Sequence, residues 1–141
     1  MRVRDEVEGA RLGDVRLSQR LVELAERLAP SPEASFPEAM GSDAGLEGAY
    51  RFLRNAAVTP AQILAPHVAA TVRRGIAEKR IIVAHDTTEI RYSTHREGLG
   101  RLNDQGHGFF AHFAIALSAD GTKRPLWGCS ASKRCFATAL S

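Results

Sequence analysis

The stretch that sets the fold class is RIIVAHDTTEIRY, at residues 80–92. Its apolar run at residues 81–84 is continuous and rich in β-branched side chains, which is typical of a strand. A second run of strand length follows at residues 109–118, and Asp120 with Gly121 forms a hairpin turn signal. With a returning strand over residues 122–128, the sequence predicts an antiparallel three-strand meander.

The sequence before this stretch has helical periodicity. Three predicted helices begin after residues that can cap them, which are Asp14, Ser42 or Asp43, and Thr59 followed by Pro60. The helices are predicted over residues 15–29, 44–55 and 60–77. Residues 29–38 are predicted to be a loop, and Pro66 is predicted to disturb the third helix. Helices followed by strands are the order of an α+β fold.

These patterns divide the chain into three segments. A helical domain is predicted over residues 1–78, a strand meander over residues 79–128 and an irregular basic tail over residues 129–141. The predicted core consists of ten apolar residues, which are Leu21, Leu24, Leu28, Phe52, Ile63, Ile82, Val83, Phe113, Ile115 and Leu117.

Composition narrows the classes of protein. The chain has 141 residues, 44% of them hydrophobic, and no apolar run approaches the roughly 20 residues of a membrane span. The N-terminus lacks the apolar stretch of a signal peptide, and two cysteines do not make a disulfide framework. A bacterial-type cytoplasmic protein without a membrane partner is therefore expected.

The net charge of +3 is a property of the C-terminal end. Residues 123–141 contain four of the basic residues and no acid, so the rest of the chain is close to neutral. Net charge is therefore a weak indicator of nucleic-acid binding, and the argument for DNA depends on where individual arginines lie.

Asp86 is the most informative acidic residue. It follows the most hydrophobic run of the chain, where a carboxylate is costly unless it is hydrogen-bonded or holds a cation such as Mg²⁺. The alternative is that Asp86 caps a turn through the backbone. Glu89 is expected on the opposite side of the strand, and no second acid is spaced to complete a two-metal site. The histidines and cysteines lack metal-ligand spacing, so structural roles are expected for them.

The second informative segment is GAYRFLRN, at residues 48–55. On a helix, Arg51, Arg54 and Asn55 lie on one side, which suits contacts with phosphates and base edges. Arg16 and Arg20 repeat this arrangement on the first helix. The alternative is a solvated helix face whose arginines form ion pairs, for example with Glu23 or Glu47.

Taken together, these segments resemble the N-terminal part of the transposon-five-type transposases of the insertion-sequence-four family. LGDVRLSQRL, at residues 12–21, resembles the family's opening helix, and residues 47–55 resemble its Gly-Ala-Tyr-Arg-Phe motif. Residues 86–88, Asp-Thr-Thr, resemble its first catalytic strand. A weaker match lies at residues 108–112.

The resemblance implies a helical DNA-binding domain followed by the first strands of a ribonuclease-H-like catalytic domain. Asp86 would be the first acid of an Asp-Asp-Glu triad that holds two Mg²⁺ or Mn²⁺ ions for cut-and-paste DNA transposition. The expected contacts with double-stranded transposon-end DNA are Arg16, Arg20, Tyr50, Arg51, Arg54 and Asn55, with Tyr50 packing or touching the DNA backbone.

The sequence departs from the family's pattern near its end. The family's other two acids lie further along the chain, and the apolar pattern of the third strand is lost after about Leu126, so a truncated or frameshifted transposase is expected. Three interpretations stay open. The chain binds transposon ends at the nucleoid without cleaving DNA, or it regulates an intact transposase or associates with itself, or it is a gene remnant that aggregates through exposed sheet edges.

Overall fold

The computed structural model describes residues 2–94, 98–102 and 106–119, and the backbone of residues 126–134. The chain forms two compact units, Met1–Ala70 and Thr71–Ser141. The described residues contain five helices, which are α1 (Val3–Val7), α2 (Val15–Leu28), α3 (Phe36–Met40), α4 (Asp43–Arg54) and α5 (Pro60–Ile76). Four strands follow, which are β1 (Ile81–Tyr92), β2 (Gly100–Arg101), β3 (His107–Ser118) and β4 (Leu126–Arg134). The predicted α+β class is confirmed.

The predicted helix caps are present. The Asp14 carboxylate accepts the Arg16 backbone N–H at 2.8 Å, and the Ser42 hydroxyl accepts the Gly45 N–H at 3.2 Å. Thr59 and Gln62 bond each other's backbone N–H groups at 3.1 and 3.3 Å, which is a capping box at the start of α5. Because each cap satisfies a backbone donor that the helix leaves unpaired, these residues fix where the long helices begin.

Two helical predictions were wrong. The predicted loop at residues 29–38 contains the start of α3, a helix of five residues capped by Ser35 that was too short for apolar periodicity to reveal. The expected disturbance at Pro66 does not interrupt α5, which is continuous from Pro60 to Ile76. Proline removes one backbone donor, but this 17-residue helix continues on both sides of Pro66 without a break.

The first unit has one hydrophobic core. Its buried residues come from α2, α3, α4 and the segment before α2, and they are Ala10, Leu12, Leu21, Leu24, Met40, Ala49 and Phe52. Leu28 and Ile63 are partly buried and pack against this cluster. All five residues predicted for the core of the helical half therefore belong to this core or contact it. A paired hydrogen bond from Arg4 to Glu26, at 2.9 and 3.0 Å, fastens α1 to α2.

The second unit contains the four-stranded sheet. β1 pairs antiparallel with β3 along its whole length, from Ile81 opposite Ser118 to Tyr92 opposite His107. β2 and β4 pair antiparallel with the other side of β3. The described part of the predicted return strand, residues 126–128, lies in β4, which runs on to Arg134, so the expectation of an irregular segment directly after residue 128 was wrong. The predicted turn at Asp120 and Gly121 lies outside the described residues.

The burial predicted for β1 was also wrong. Residues 81–88 are exposed, and Ile82 and Val83, both predicted in the core, keep 55% and 47% of their surface accessible. The reason is topological, because β1 lies at an edge of the described sheet and bonds to β3 alone. Phe113, Ile115 and Leu117 on the central strand β3 are partly buried.

None of the helices in the described part of the chain combines the length and the hydrophobicity that crossing a bilayer demands.

Candidate nucleic-acid interface

Helices α2 and α4 form a cleft of about 350 Å³ in the first unit. From α4, the cleft is lined by Gly48, Arg51 and Phe52, and by Asn55 just after the helix. Their spacing of three and four residues places them on one helix face. The remaining lining residues are Asp14, Arg16, Leu17 and Arg20. Four of the six residues predicted to contact DNA, Arg16, Arg20, Arg51 and Asn55, therefore lie at one cleft.

Each arginine of the cleft is bonded to a nearby acid. The pairs are Arg16 with Asp14 at 3.0 Å, Arg20 with Glu23 at 2.8 Å and Arg51 with Glu47 at 2.5 Å. The ion pairs that the sequence predicted as the alternative to DNA contacts are therefore present. All three pairs are exposed, and such pairs contribute little to stability, about 0–1 kcal/mol in general. A phosphate group can replace such an acid at small cost, so ion pairing and DNA binding are compatible.

Asp14 has two roles in this cleft. Two hydrogen bonds lower the pKa of the Asp14 carboxyl. The bond from the Arg16 side chain has the larger effect, and the bond from the Arg16 backbone N–H has the smaller one. The same contact raises the pKa of Arg16, which stays charged. The carboxylate that caps α2 is thus also the ion-pair partner of Arg16.

Gly48 allows Arg20 to reach across the cleft. A Cβ atom at Gly48 would lie 3.3 Å from both Cζ and Nη1 of the Arg20 guanidinium, which is tighter than ordinary contact. Arg20 is also the least exposed of the three arginines, with 41% of its side chain accessible against 85% for Arg16 and 74% for Arg51. Gly48 was not predicted as a site residue, although its spacing of three from Arg51 places it on the same face.

Asn55 presents part of its amide to the cleft. Its Oδ1 accepts the Ala57 backbone N–H at 2.9 Å, which holds the turn after α4. This bond occupies the acceptor end of the side chain and leaves the Nδ2 group as the donor. Asn55 is therefore better suited to donate to a phosphate or to a single base acceptor than to form the two-bond contact with adenine.

Tyr50 and Arg54 do not line the cleft. They lie four residues apart on an adjacent face of α4, where the Arg54 guanidinium carbon is 5.9 Å from the centre of the Tyr50 ring. Tyr50 also packs against Phe36, with ring centres 5.6 Å apart. Among the described residues, no acid forms an ion pair with Arg54. Its charge is the most readily available one on this side of the unit.

Asp86 lies in the middle of β1, opposite Phe113 on β3, rather than at a strand end. Its carboxylate accepts a hydrogen bond from the Thr88 hydroxyl at 3.3 Å, and its side chain is exposed. Glu89 bonds Arg91 at 2.5 Å. The described residues contain no group of three His, Cys, Asp or Glu side chains that could hold a metal ion. A single exposed carboxylate does not fit a two-ion site for Mg²⁺ or Mn²⁺.

Among the described histidines, His67, His85 and His112 have side-chain neighbours that position them. The Nδ1 atom of His67 lies 2.7 Å from a carboxylate oxygen of Glu6, which joins α5 to α1. On the sheet, Nδ1 of His85 lies 3.1 Å from Nε2 of His112, and Nδ1 of His112 lies 2.8 Å from the Thr87 hydroxyl. His95 lies outside the described residues.

A comparison with protein families gives an independent result for the helical unit. Residues 2–58 match the family model for transposase DNA-binding. The matched region contains α1 to α4, and with them every residue that lines the cleft. It covers less than half of the chain and ends before α5, so it supports a transposase and indicates DNA binding by the helical unit.

Proposed function

We propose that the helical unit binds double-stranded DNA at the ends of a transposable element, as part of a transposon-five-type transposase of the insertion-sequence-four family. The observation that carries this proposal is the cleft between α2 and α4. It gathers three arginines and an amide donor inside the region that matches a transposase DNA-binding domain.

The cleft recognises the DNA backbone by exchanging ion pairs. On binding, phosphate oxygens take the place of Asp14, Glu23 and Glu47 as partners of the three guanidinium groups. Arg16 and Arg51 are the more accessible and make contact first, whereas Arg20 holds a phosphate deeper in the cleft beside Gly48. Arg54 adds a further phosphate contact from the adjacent face. Such contacts fix the register of the protein on the duplex.

The sheet begins the ribonuclease-H-like catalytic domain in this proposal, and Asp86 is its first acid. The described residues supply no second or third carboxylate beside Asp86. In this proposal the described residues bind transposon ends in the bacterial nucleoid and do not by themselves form the site that cuts a strand.

The test is binding to the inverted repeat that borders the gene, compared with a scrambled duplex, at about 50 and 200 mM salt. Each phosphate contact contributes about 0.9 to the slope of log affinity against log salt. Arg51→Ala combined with Arg54→Ala is expected to reduce this slope by nearly two and to weaken binding to both duplexes.

The matched control is Arg2→Ala. Arg2 is about as exposed as Arg16 and Arg51 and bonds Asp5 of the helix that it precedes, yet it does not line the cleft. A folded Arg51→Ala, Arg54→Ala variant with the wild-type slope, or an equal loss in Arg2→Ala, would refute the proposed interface.

A second candidate function is regulation of an intact transposase through protein contacts. The exposed β1 edge favours it, because an edge strand with apolar side chains is a surface for another chain. Binding to a purified intact transposase in the absence of DNA would support this candidate. If the intact transposase binds this chain only when DNA is present, this candidate function is excluded.

A further inference from the structure

Asn55 follows the last residue of α4 and has one polar group without a protein partner. Its backbone N–H donates to the Phe52 carbonyl at 3.2 Å, and its backbone carbonyl accepts the Val58 N–H at 2.9 Å. Its side-chain Oδ1 accepts the Ala57 N–H, also at 2.9 Å. Within the described part of the chain, the Nδ2 group donates to no other residue. This amide nitrogen is therefore the donor that Asn55 offers to a ligand.

The bond to Ala57 also orients this donor. It is an Asx turn, in which an asparagine side chain bonds the backbone two residues further on. Because Oδ1 and Nδ2 belong to one planar amide, turning Oδ1 toward the loop turns Nδ2 away from it. Asn55 is exposed and lines the cleft between α2 and α4. A donor that is held in place before binding loses little conformational freedom when a ligand arrives.

A base edge suits this donor better than a phosphate does. The C-terminal end of a helix carries partial negative charge, which disfavours an anion, and Asn55 caps that end of α4. Arg51 and Arg54 lie in the last turn of α4 and offset this field with full positive charges. A phosphate that comes close binds one of these guanidinium groups in preference to the uncharged amide, because charge-assisted hydrogen bonds are the stronger ones. The amide is left for an uncharged acceptor.

A donor of this kind distinguishes the bases in the major groove, which is wide enough to admit an α-helix. Guanine presents two acceptors there, N7 and O6, whereas cytosine presents its N4 amino donor. Adenine places an amino donor beside its one acceptor, and thymine has a single acceptor beside a methyl group. The two-bond contact with adenine needs Oδ1 and Nδ2 on the same base edge, and Oδ1 is turned toward Ala57. The amide of Asn55 therefore fits guanine best and cytosine worst.

We propose that Asn55 is a specificity-determining residue whose Nδ2 group donates to the major-groove edge of one guanine in the transposon end. This inference rests on the proposed function, because it places the cleft between α2 and α4 on a DNA duplex. The arginines of the cleft bind phosphates of any sequence and set the position of the duplex. Asn55 adds a preference for G over C at one base pair.

Binding-site selection with Asn55→Asp tests this preference. The full chain selects duplexes from a pool with a randomised segment, and dissociation constants are then measured for all four base pairs at each selected position. Asn55→Asp keeps an oxygen that accepts the Ala57 N–H, so the turn stays closed, and it replaces the Nδ2 donor with an acceptor. At one position the wild type is expected to bind G about fivefold or more tightly than C. Asn55→Asp is expected to prefer C there, because a carboxylate accepts from the N4 amino group.

Gln19→Glu is the matched control. It makes the same change from amide to carboxylate in an exposed side chain of α2, which lines a different groove together with Arg4 and Glu8. It is expected to keep the wild-type base preference at every position. The added negative charge weakens binding to all duplexes alike, so the quantity compared is the ratio of dissociation constants for C and G. Circular dichroism verifies that each variant is folded.

The outcomes separate this inference from the proposed function. A change from G to C at one position in Asn55→Asp, with all preferences kept in Gln19→Glu, supports the assignment. Specific binding with the same base preferences in the wild type and in Asn55→Asp overturns it and leaves the proposed DNA interface intact. So does a wild-type preference for A·T pairs at the position that Asn55→Asp alters, because that pattern belongs to the minor groove. A folded wild-type chain that selects no sequence overturns both.

Discussion

Replacing Gly48 with alanine tests the geometry of the cleft. Gly48 lies inside α4, where glycine costs about 0.8–1.0 kcal/mol relative to alanine in helix propensity. The new Cβ would meet Cζ and Nη1 of Arg20 at 3.3 Å. These atoms belong to the far end of a flexible side chain, so Arg20 can move by a few tenths of an ångström. The Arg20–Glu23 pair that is disturbed is exposed and contributes little.

The net effect of Gly48→Ala is therefore a small stabilisation, about 0.5–1 kcal/mol. For a unit of this size, such a change corresponds to an increase of several degrees in the melting temperature. DNA affinity should fall, because the new methyl group displaces the Arg20 guanidinium from its position beside residue 48. Thermal unfolding followed by circular dichroism measures the first effect, and fluorescence anisotropy with labelled duplex measures the second.

Gly45→Ala is the matched control on the same helix. Its Cβ would lie 2.9 Å from the backbone oxygen of Met40, and a backbone atom cannot move aside as a side chain can. The control should therefore be destabilised despite the same gain in helix propensity. If Gly48→Ala unfolds at a lower temperature than the wild type, or if it binds DNA as tightly, the account of Gly48 is incorrect.

Three further predictions follow from the structure. Met40→Ala should lower the free energy of unfolding by about 2–5 kcal/mol in urea titration, because the Met40 side chain is fully buried. The lowered pKa of Asp14 means that its carboxylate stabilises the fold above its ordinary pKa and that this contribution is lost as the pH falls through the lowered value. Asp14→Asn should therefore weaken the acid dependence of the melting temperature, and an unaltered dependence would contradict this. Asp86→Asn should leave the dissociation constant for DNA unchanged, because Asp86 belongs to the sheet unit.

The helices were predictable because their signals are local. The caps at Asp14, Ser42 and Thr59 act on backbone donors two or three residues away, so the sequence alone locates the helix starts. Helix α3 was missed because five residues give no measurable periodicity, although Ser35 before Pro37 was a usable signal. Its omission also hid Met40, which is fully buried in the helical core.

The burial of the sheet was not predictable in the same way. Residues 81–84 have the composition of an interior strand, and they do form a strand. Whether a strand is covered depends on which other strands pair with it, and that information lies elsewhere in the chain. The cleft was predictable in part. The spacing of Arg51 and Asn55 places them on one helix face. The approach of Arg20 to Gly48, in contrast, depends on how α2 packs against α4, which the sequence alone does not show.

The charge of the helical unit bears on how selectively it can bind DNA. Residues 1–60 contain eight basic and ten acidic residues, so this part of the chain is net negative. Each cleft arginine is already neutralised by an adjacent acid. Long-range attraction to arbitrary DNA should therefore be weak, because non-specific binding depends mainly on net positive charge near phosphates. Only a duplex whose phosphates meet several guanidinium groups at once can displace the acids together. In the proposed interface, the acids therefore lower the affinity for any duplex that meets only one of these guanidinium groups.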